Sequence, residues 1–210
     1  MMKTKIKICG VTRKEDALFA LQAGADFIGM IFYEKSSRYI PKQKAREITN
    51  FLKEKGFNPP PAIGVFVNEK SAIVNQIARE AGLYRVQLHG EESPEYCGEI
   101  EIPYIKAFRV RSAESLSDVE NYHPWAFLFD AWHPEKYGGT GKRIDPAMLA
   151  SGLTRHRMFL AGGLNPENVT EALGIIQPFC VDVSSGVEIS PGVKDHGKIE
   201  SFIRRVKKAG

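Results

Sequence analysis

Along this chain, short runs of β-branched and aromatic residues alternate with longer stretches in which apolar positions recur at helical spacing. That alternation is the pattern of βα units feeding a parallel sheet. The short runs predict strands at Lys5 to Cys9, Phe27 to Phe32, Ala62 to Val67, Arg85 to Leu88, Tyr104 to Ala107, Phe127 to Asp130, Met158 to Ala161 and Cys180 to Val183. Such a number closes an α/β (β/α)8 TIM barrel, although on pattern alone a doubly wound sheet stays open. Helical patterns fall between them at Lys14 to Ala23, Gln43 to Lys55, Lys70 to Ala81, Ala113 to Asn121, Pro166 to Ile176 and Gly197 to Lys208. Asn165 before Pro166 reads as N-cap and N1, while Gly24 and Gly82 end the helices before them. Ser93 to Gly98 is short for a helix, and in Ile144 to Ala150 the proline at 146 suits only a helix start. Pro59, Pro60 and Pro61 stiffen the approach to the third strand rather than mark a linker, so residues 1–210 are expected to form one catalytic domain.

Composition changes this picture little. With 43% hydrophobic and 26% charged residues over 210 positions, the chain is of the ordinary globular kind and long enough to bury a sizeable core. Its start lacks an apolar signal region, and a cytoplasmic location is expected. Cys9, Cys97 and Cys180 are far apart and fit neither a disulfide scaffold nor a zinc spacing. The net charge of +4 comes from scattered residues, with a cluster only at Arg204, Arg205, Lys207 and Lys208. Neither nucleic acid nor membrane is an expected partner; a modest positive field around a phosphate is the better use of that charge.

In a barrel of this kind the chemistry sits where the strands end. Read in order, those ends carry Cys9, Arg38, Asn68, His89, Arg109, Asp130, Gly162 with Gly163, and Asp182 with Ser184, Ser185 and Gly186. The glycines and serines after the last two strands would bring backbone amides against a phosphate; alone, Gly162 and Gly163 equally fit a tight turn with positive φ. Gly138-Gly139-Thr140-Gly141-Lys142 is not a P-loop, because Lys136 and Arg143 stand where that motif needs Gly and Ser or Thr, and is read as a flap. A cysteine at a strand end is commonly just a small buried hydrophobe. Alternation, however, sets Lys5, Lys7 and Cys9 on the barrel-facing side, where an ammonium would favour a thiolate base. Asp130 follows Phe127-Leu128-Phe129, whose apolar character is expected to raise its pKa and keep a proton available, though it could instead cap a helix. Arg38 can grip a carboxylate bidentately, and His89 can orient substrate without a second residue spaced for metal.

Taken together and in order, Lys7-Ile8-Cys9-Gly10-Val11-Thr12, Ser37-Arg38-Tyr39, Gly64-Val65-Phe66-Val67-Asn68, Val86-Gln87-Leu88-His89-Gly90, Asp130, Leu160-Ala161-Gly162-Gly163-Leu164, Asp182-Val183-Ser184-Ser185-Gly186-Val187-Glu188 and Pro191-Gly192-Val193-Lys194-Asp195 resemble the phosphoribosylanthranilate isomerases of tryptophan biosynthesis. The resemblance implies a (β/α)8 barrel and a cofactor-free, metal-free Amadori rearrangement of N-(5-phosphoribosyl)anthranilate. It implies Asp130 as general acid and Cys9 as general base, with Arg38 at the anthranilate carboxylate and Asp182 at the sugar hydroxyls. It further implies a phosphate cradle at Gly162, Gly163, Ser185 and Gly186. A monomer is expected, with a homodimer as the alternative.

Three other readings compete. A phosphate-sugar epimerase or synthase would need metal-binding histidines or a lysine paired with a glutamate among the strand ends, where His89 stands alone and Lys7 has no such glutamate. A histidine-pathway sugar-phosphate isomerase would carry aspartates at both positions, against Cys9. A catalytically silent barrel that only binds a phosphorylated ligand would have no need of Cys9 and Asp130 together.

Overall fold

The computed structural model describes residues 3–110, 118–130 and 157–209. Eight parallel strands, β1 (Lys5–Ile8), β2 (Phe27–Ile31), β3 (Ala62–Phe66), β4 (Arg85–Leu88), β5 (Tyr104–Arg109), β6 (Ala126–Asp130), β7 (Met158–Ala161) and β8 (Cys180–Val183), close into a barrel in chain order. Around it lie α1 (Lys14–Ala23), α2 (Lys42–Glu54), α3 (Ser71–Glu80), the single turn α4 (Pro94–Cys97), α5 (Val169–Ile175) and α6 (His196–Ala209). β1 pairs with β8 in a register that sets Lys7 beside Asp182, and β5 pairs with β6 so that Arg109 flanks Asp130.

The two-residue period of the strands sorts their side chains into two apolar layers. Phe27, Ile63, Ile105, Ala126, Leu128, Phe159 and Cys180 pack inside the barrel. Ile6, Ile8, Ile28, Met30, Phe127, Phe129, Leu160 and Val181 face outward and meet helical residues such as Ala20, Ile48, Val74, Ile199 and Phe202. Helices α2 and α6 have charged outer faces, and no helix among the described residues is long and apolar enough to cross a membrane.

All eight expected strands are present, three with the expected ends and five with an end displaced by a residue or two. The start of α5 differs from expectation. Asn165 Oδ1 accepts from the backbone N–H of Glu167 (2.9 Å) and Asn168 (3.0 Å), as an N-cap should, but the turn it caps is irregular and α-helix begins only at Val169. The hairpin β9 (Glu188–Ser190) to β10 (Val193–Lys194) is absent from the sequence reading, although Pro191-Gly192 is a turn signal, and Gly192 has a φ of 80°. Of the helix expected at 113–121, a short 3-10 turn at Val119–Asn121 is described. Residues 113–117, 138–142 and 144–150 lie outside the described residues.

Leu128 is fully buried among the interior ring of side chains, so Leu128→Ala should cost about 2–5 kcal/mol of stability, chiefly through the cavity it leaves. Urea unfolding checks this, with exposed Ile189→Ala as a control whose midpoint should hardly move.

Candidate active site

The carboxyl ends of the strands surround a cavity of about 440 Å³, within the range that holds a small ligand. Cys9, Arg38, His89, Asp130, Gly162, Gly163, Asp182 and Ser185 all line it, together with Gln87 and Ser184. Of the strand-end residues expected from sequence, Asn68, Arg109 and Gly186 are not in the lining. A Cβ at Gly186 would lie 2.0 Å from the Leu164 carbonyl oxygen, so this glycine lets the loops after β7 and β8 meet. Gly162 and Gly163 have φ of 100° and 66°, and their lack of a side chain both forms the turn and leaves their backbone open to the cavity.

At the floor is a buried polar chain. The Lys7 ammonium, with 0% exposure, donates to Asp182 Oδ2 (2.8 Å) and to Gln87 Oε1 (3.0 Å). Burial opposes its charge most strongly of any single cause, but Asp182 and Cys9 together outweigh that and hold the Lys7 pKa above its ordinary value. Gln87 Nε2 lies 2.7 Å from His89 Nδ1, and His89 Nε2 lies 3.9 Å from Asp130 Oδ2. Burial, and then the positive charge of Lys7, Arg109 and Lys106, lower the His89 pKa to about 4. His89 is therefore neutral near pH 7, and its approach to Asp130 is not an ion pair.

Cys9 follows β1 directly, and its backbone N–H donates to Val183 O (2.8 Å), so the ladder with β8 carries on past the strand end. Its side chain enters the space left by Gly29, where a Cβ would lie 2.7 Å from Cys9 Sγ and 3.1 Å from Lys7 Cε. The expected neighbourhood of ammonium and thiol is thus present, but its expected net effect is not. Burial pushes the Cys9 thiol above its ordinary pKa, and Lys7 only partly offsets this, since its charge is shared with Asp182. Lys5, expected on the same side, is half-exposed at the other end of the barrel and pairs with Asp26 at 2.7 Å.

The argument made for Asp130 also changes. Phe127 and Phe129 belong to the layer beneath the helices, on the strand face opposite to the barrel interior, and the Asp130 side chain is 39% exposed. Its apolar sequence neighbours therefore do not wrap the carboxyl group.

Arg38 reaches the mouth from the loop after β2, but Glu188 already engages its Nε (2.9 and 3.0 Å) and Nη2 (2.7 Å). Glu188 takes the Nε–Nη2 edge of the guanidinium and leaves its Nη1 corner and Nη1–Nη2 end, so a grip on a ligand carboxylate would come from that end. Glu188 in turn accepts from Lys194 (2.7 Å), whose ammonium also donates to the Cys9 and Ser184 carbonyl oxygens. Burial opposes the charge of Glu188, yet the hydrogen bonds from Arg38 and Lys194 hold its pKa below the usual carboxylate value. Asn68 serves a different end. Its Oδ1 accepts from Glu91 N (2.7 Å), while buried Glu92 accepts from Asn68 N (2.9 Å), Gly90 N (3.0 Å) and the Lys106 ammonium (2.7 Å). This clasp fixes the loop that carries His89.

Two buried oxygens, Asp182 Oδ1 and Ser184 Oγ, have no hydrogen-bond partner among the described residues. Both belong to residues lining the cavity, where a ligand's hydroxyl or phosphate could satisfy them. Among the described residues no three of His, Cys, Asp and Glu are grouped so as to hold a metal ion.

Residues 6–205 match the family model described as N-(5'-phosphoribosyl)anthranilate (PRA) isomerase. The chain belongs to that family. An N-(5'-phosphoribosyl)anthranilate isomerase from Trichlorobacter lovleyi is 49% identical over 208 residues, covering 98% of each chain. The crystal structure of the phosphoribosyl anthranilate isomerase of Thermotoga maritima is 44% identical over 98% of this chain and 99% of its own, with a TM-score of 0.86; the T. maritima enzyme is elsewhere described as dimeric. A further isomerase structure, 41% identical over 98% of this chain and 99% of its own at a TM-score of 0.85, is a complex with reduced 1-(o-carboxyphenylamino)-1-deoxyribulose 5-phosphate.

Two outcomes are expected from this geometry. Gly29→Ala should displace the Cys9 thiol by a large fraction of an ångström and lower isomerase kcat on the order of 10²-fold, while thermal unfolding shows the barrel still folded. Because burial raises the Cys9 pKa, its thiolate fraction at neutral pH is smaller than that of a free cysteine and grows as pH rises. Alkylation of Cys9, followed by peptide mass spectrometry against glutathione in the same buffer, should therefore show its midpoint at the higher pH.

Proposed function

We propose that the isomerase reaction of this family, an Amadori rearrangement in tryptophan biosynthesis, is carried here by Asp130 as general acid and Cys9 as general base. The observation that carries the reading is that both groups open onto one cavity from different parts of the barrel, β1 and β6, with the glycine and serine loops after β7 and β8 beside them. A relative crystallised with a reduced form of the product supports the same ligand class, a small phosphorylated molecule with an aminobenzoate group.

In this reading Gly162, Gly163 and Ser185 present the phosphate cradle, and Gly186 holds the two loops together. Asp182 Oδ1 accepts from a sugar hydroxyl, which gives that buried oxygen the partner it lacks. Ile31, Val65 and Val67 offer an apolar wall to the aromatic ring, and Arg38 meets the carboxylate through the end that Glu188 leaves. With the substrate so held, Asp130 gives its proton to the ribose ring oxygen. The C1'–O bond breaks as the anthranilate nitrogen lends its electron pair, and a protonated Schiff base forms. Cys9 thiolate then removes the C2' proton, the electron pair neutralises the iminium nitrogen, and the enolamine relaxes to the ketone. Two positioned proton transfers of this kind each contribute about 10² to 10⁴ in rate.

The raised Cys9 pKa fits this sequence of events. The base is needed only once an iminium centre lies close by, and that positive charge favours the thiolate at the step that uses it. All the groups invoked come from one chain, so the proposal needs no partner subunit; we keep the monomer, with a T. maritima-like dimer as the alternative. A cytoplasmic setting is part of the same proposal.

Cys9→Ala and Asp130→Asn should each reduce turnover by about 10² or more while ligand affinity changes little. Loss of anthranilate-type fluorescence from freshly made phosphoribosylanthranilate measures the first, and titration with a reduced product analogue the second. Near-normal turnover in either variant would remove that residue from its role.

A further inference from the structure

We propose that Gln87 is a positioning residue, which with Lys7 sets the tautomer of His89 so that its Nε2–H, rather than a lone pair, faces Asp130. The inference rests on the reading of Asp130 as the acid. It follows from the donors and acceptors each group possesses.

The Lys7 ammonium has donors and no acceptor, so the Gln87 atom 3.0 Å from it must be the amide oxygen. That leaves the Gln87 NH2 turned to His89 Nδ1 at 2.7 Å, and an NH2 group can only donate. Nδ1 must then accept, and a neutral imidazole that accepts at Nδ1 carries its proton on Nε2. The amide cannot be turned end for end without setting its NH2 against the ammonium, and the ammonium cannot lose its proton cheaply while Asp182 lies 2.8 Å away. Burial and the positive charge of Lys7 keep the ring neutral, which fits the same arrangement. Information thus passes from an ion pair at the barrel floor to a proton at the mouth.

The consequence concerns what Asp130 becomes once it has given up its proton. His89 Nε2 is 3.9 Å from Asp130 Oδ2, longer than a hydrogen bond but within the adjustment that ligand binding brings. An N–H aimed there stabilises the carboxylate as it forms. The opposite tautomer would aim a lone pair at the carboxyl group and compete with the substrate for its proton. In this scheme His89 exchanges no proton itself, so it orients and stabilises the acid.

The decisive measurement is the long-range ¹H–¹⁵N spectrum of ¹⁵N-histidine protein, with the His89 signals assigned by their loss in His89→Asn. The wild type should show His89 neutral and protonated at Nε2 across the neutral range; protonation at Nδ1 would overturn the proposal, and this needs no other variant to fold. Gln87→Glu keeps the size and the Lys7 contact but replaces the donor with an acceptor. It should put a proton on Nδ1 and lower kcat roughly 10- to 100-fold with KM little changed, as loss of an orienting partner does elsewhere. A full kcat in Gln87→Glu with a proton on Nδ1 and none on Nε2 would overturn the inference alone, whereas turnover retained in Asp130→Asn would overturn the acid reading beneath it.

Discussion

The buried pair of Lys7 and Asp182 is the constraint on which the rest of the active site depends. Two charges withdrawn from water inside a barrel cost several kcal/mol each unless each finds the other, and the β1–β8 register brings them side by side at 2.8 Å. Once paired, they dictate what can surround them. Lys7 has donors to spare and directs one to Gln87; Asp182, which lines the cavity, has one buried oxygen to spare. The barrel seam is therefore also where polarity enters an otherwise apolar interior.

A second network, of Arg38, Glu188 and Lys194, does for the rim what Lys7 and Asp182 do for the floor. It joins the loop after β2, the β9–β10 hairpin and the carbonyl ends of β1 and β8. The guanidinium is pre-oriented by Glu188, so little side-chain entropy remains to be lost when a ligand arrives. Its remaining Nη1–Nη2 end is held ready for a carboxylate.

Much of the fold was legible because strand period and helix period differ so plainly, and because a barrel places its chemistry at strand ends. Cys9, Asp130, His89 and Asp182 could be named from that rule alone. What sequence could not convey is how one side chain acts on another. Gly29 looks like any strand glycine until Cys9 Sγ is seen in the space a Cβ would take. Gln87 sits two residues before His89, hence on the same face, but the direction of its amide depends on a lysine 80 residues away. Phe127 and Phe129 misled for a related reason, since neighbours in sequence point to opposite faces of a strand, and their bulk lies away from the Asp130 carboxyl. Lys7 was placed correctly beside the thiol, but Asp182, distant in sequence, takes much of its charge.

The ammonium of Lys194 has a bearing on synthesis as well as catalysis. It holds the Cys9 carbonyl, yet it belongs to the last hairpin, just before α6. β1 likewise has no partner on one side until β8 is made. A growing chain can have its thiol, its histidine and its aspartate already translated and still lack the contact that steadies the first strand end, because Lys194 follows all three in the chain. Closure of the barrel and completion of its mouth thus draw on the same late stretch of chain, β8 with the β9–β10 hairpin.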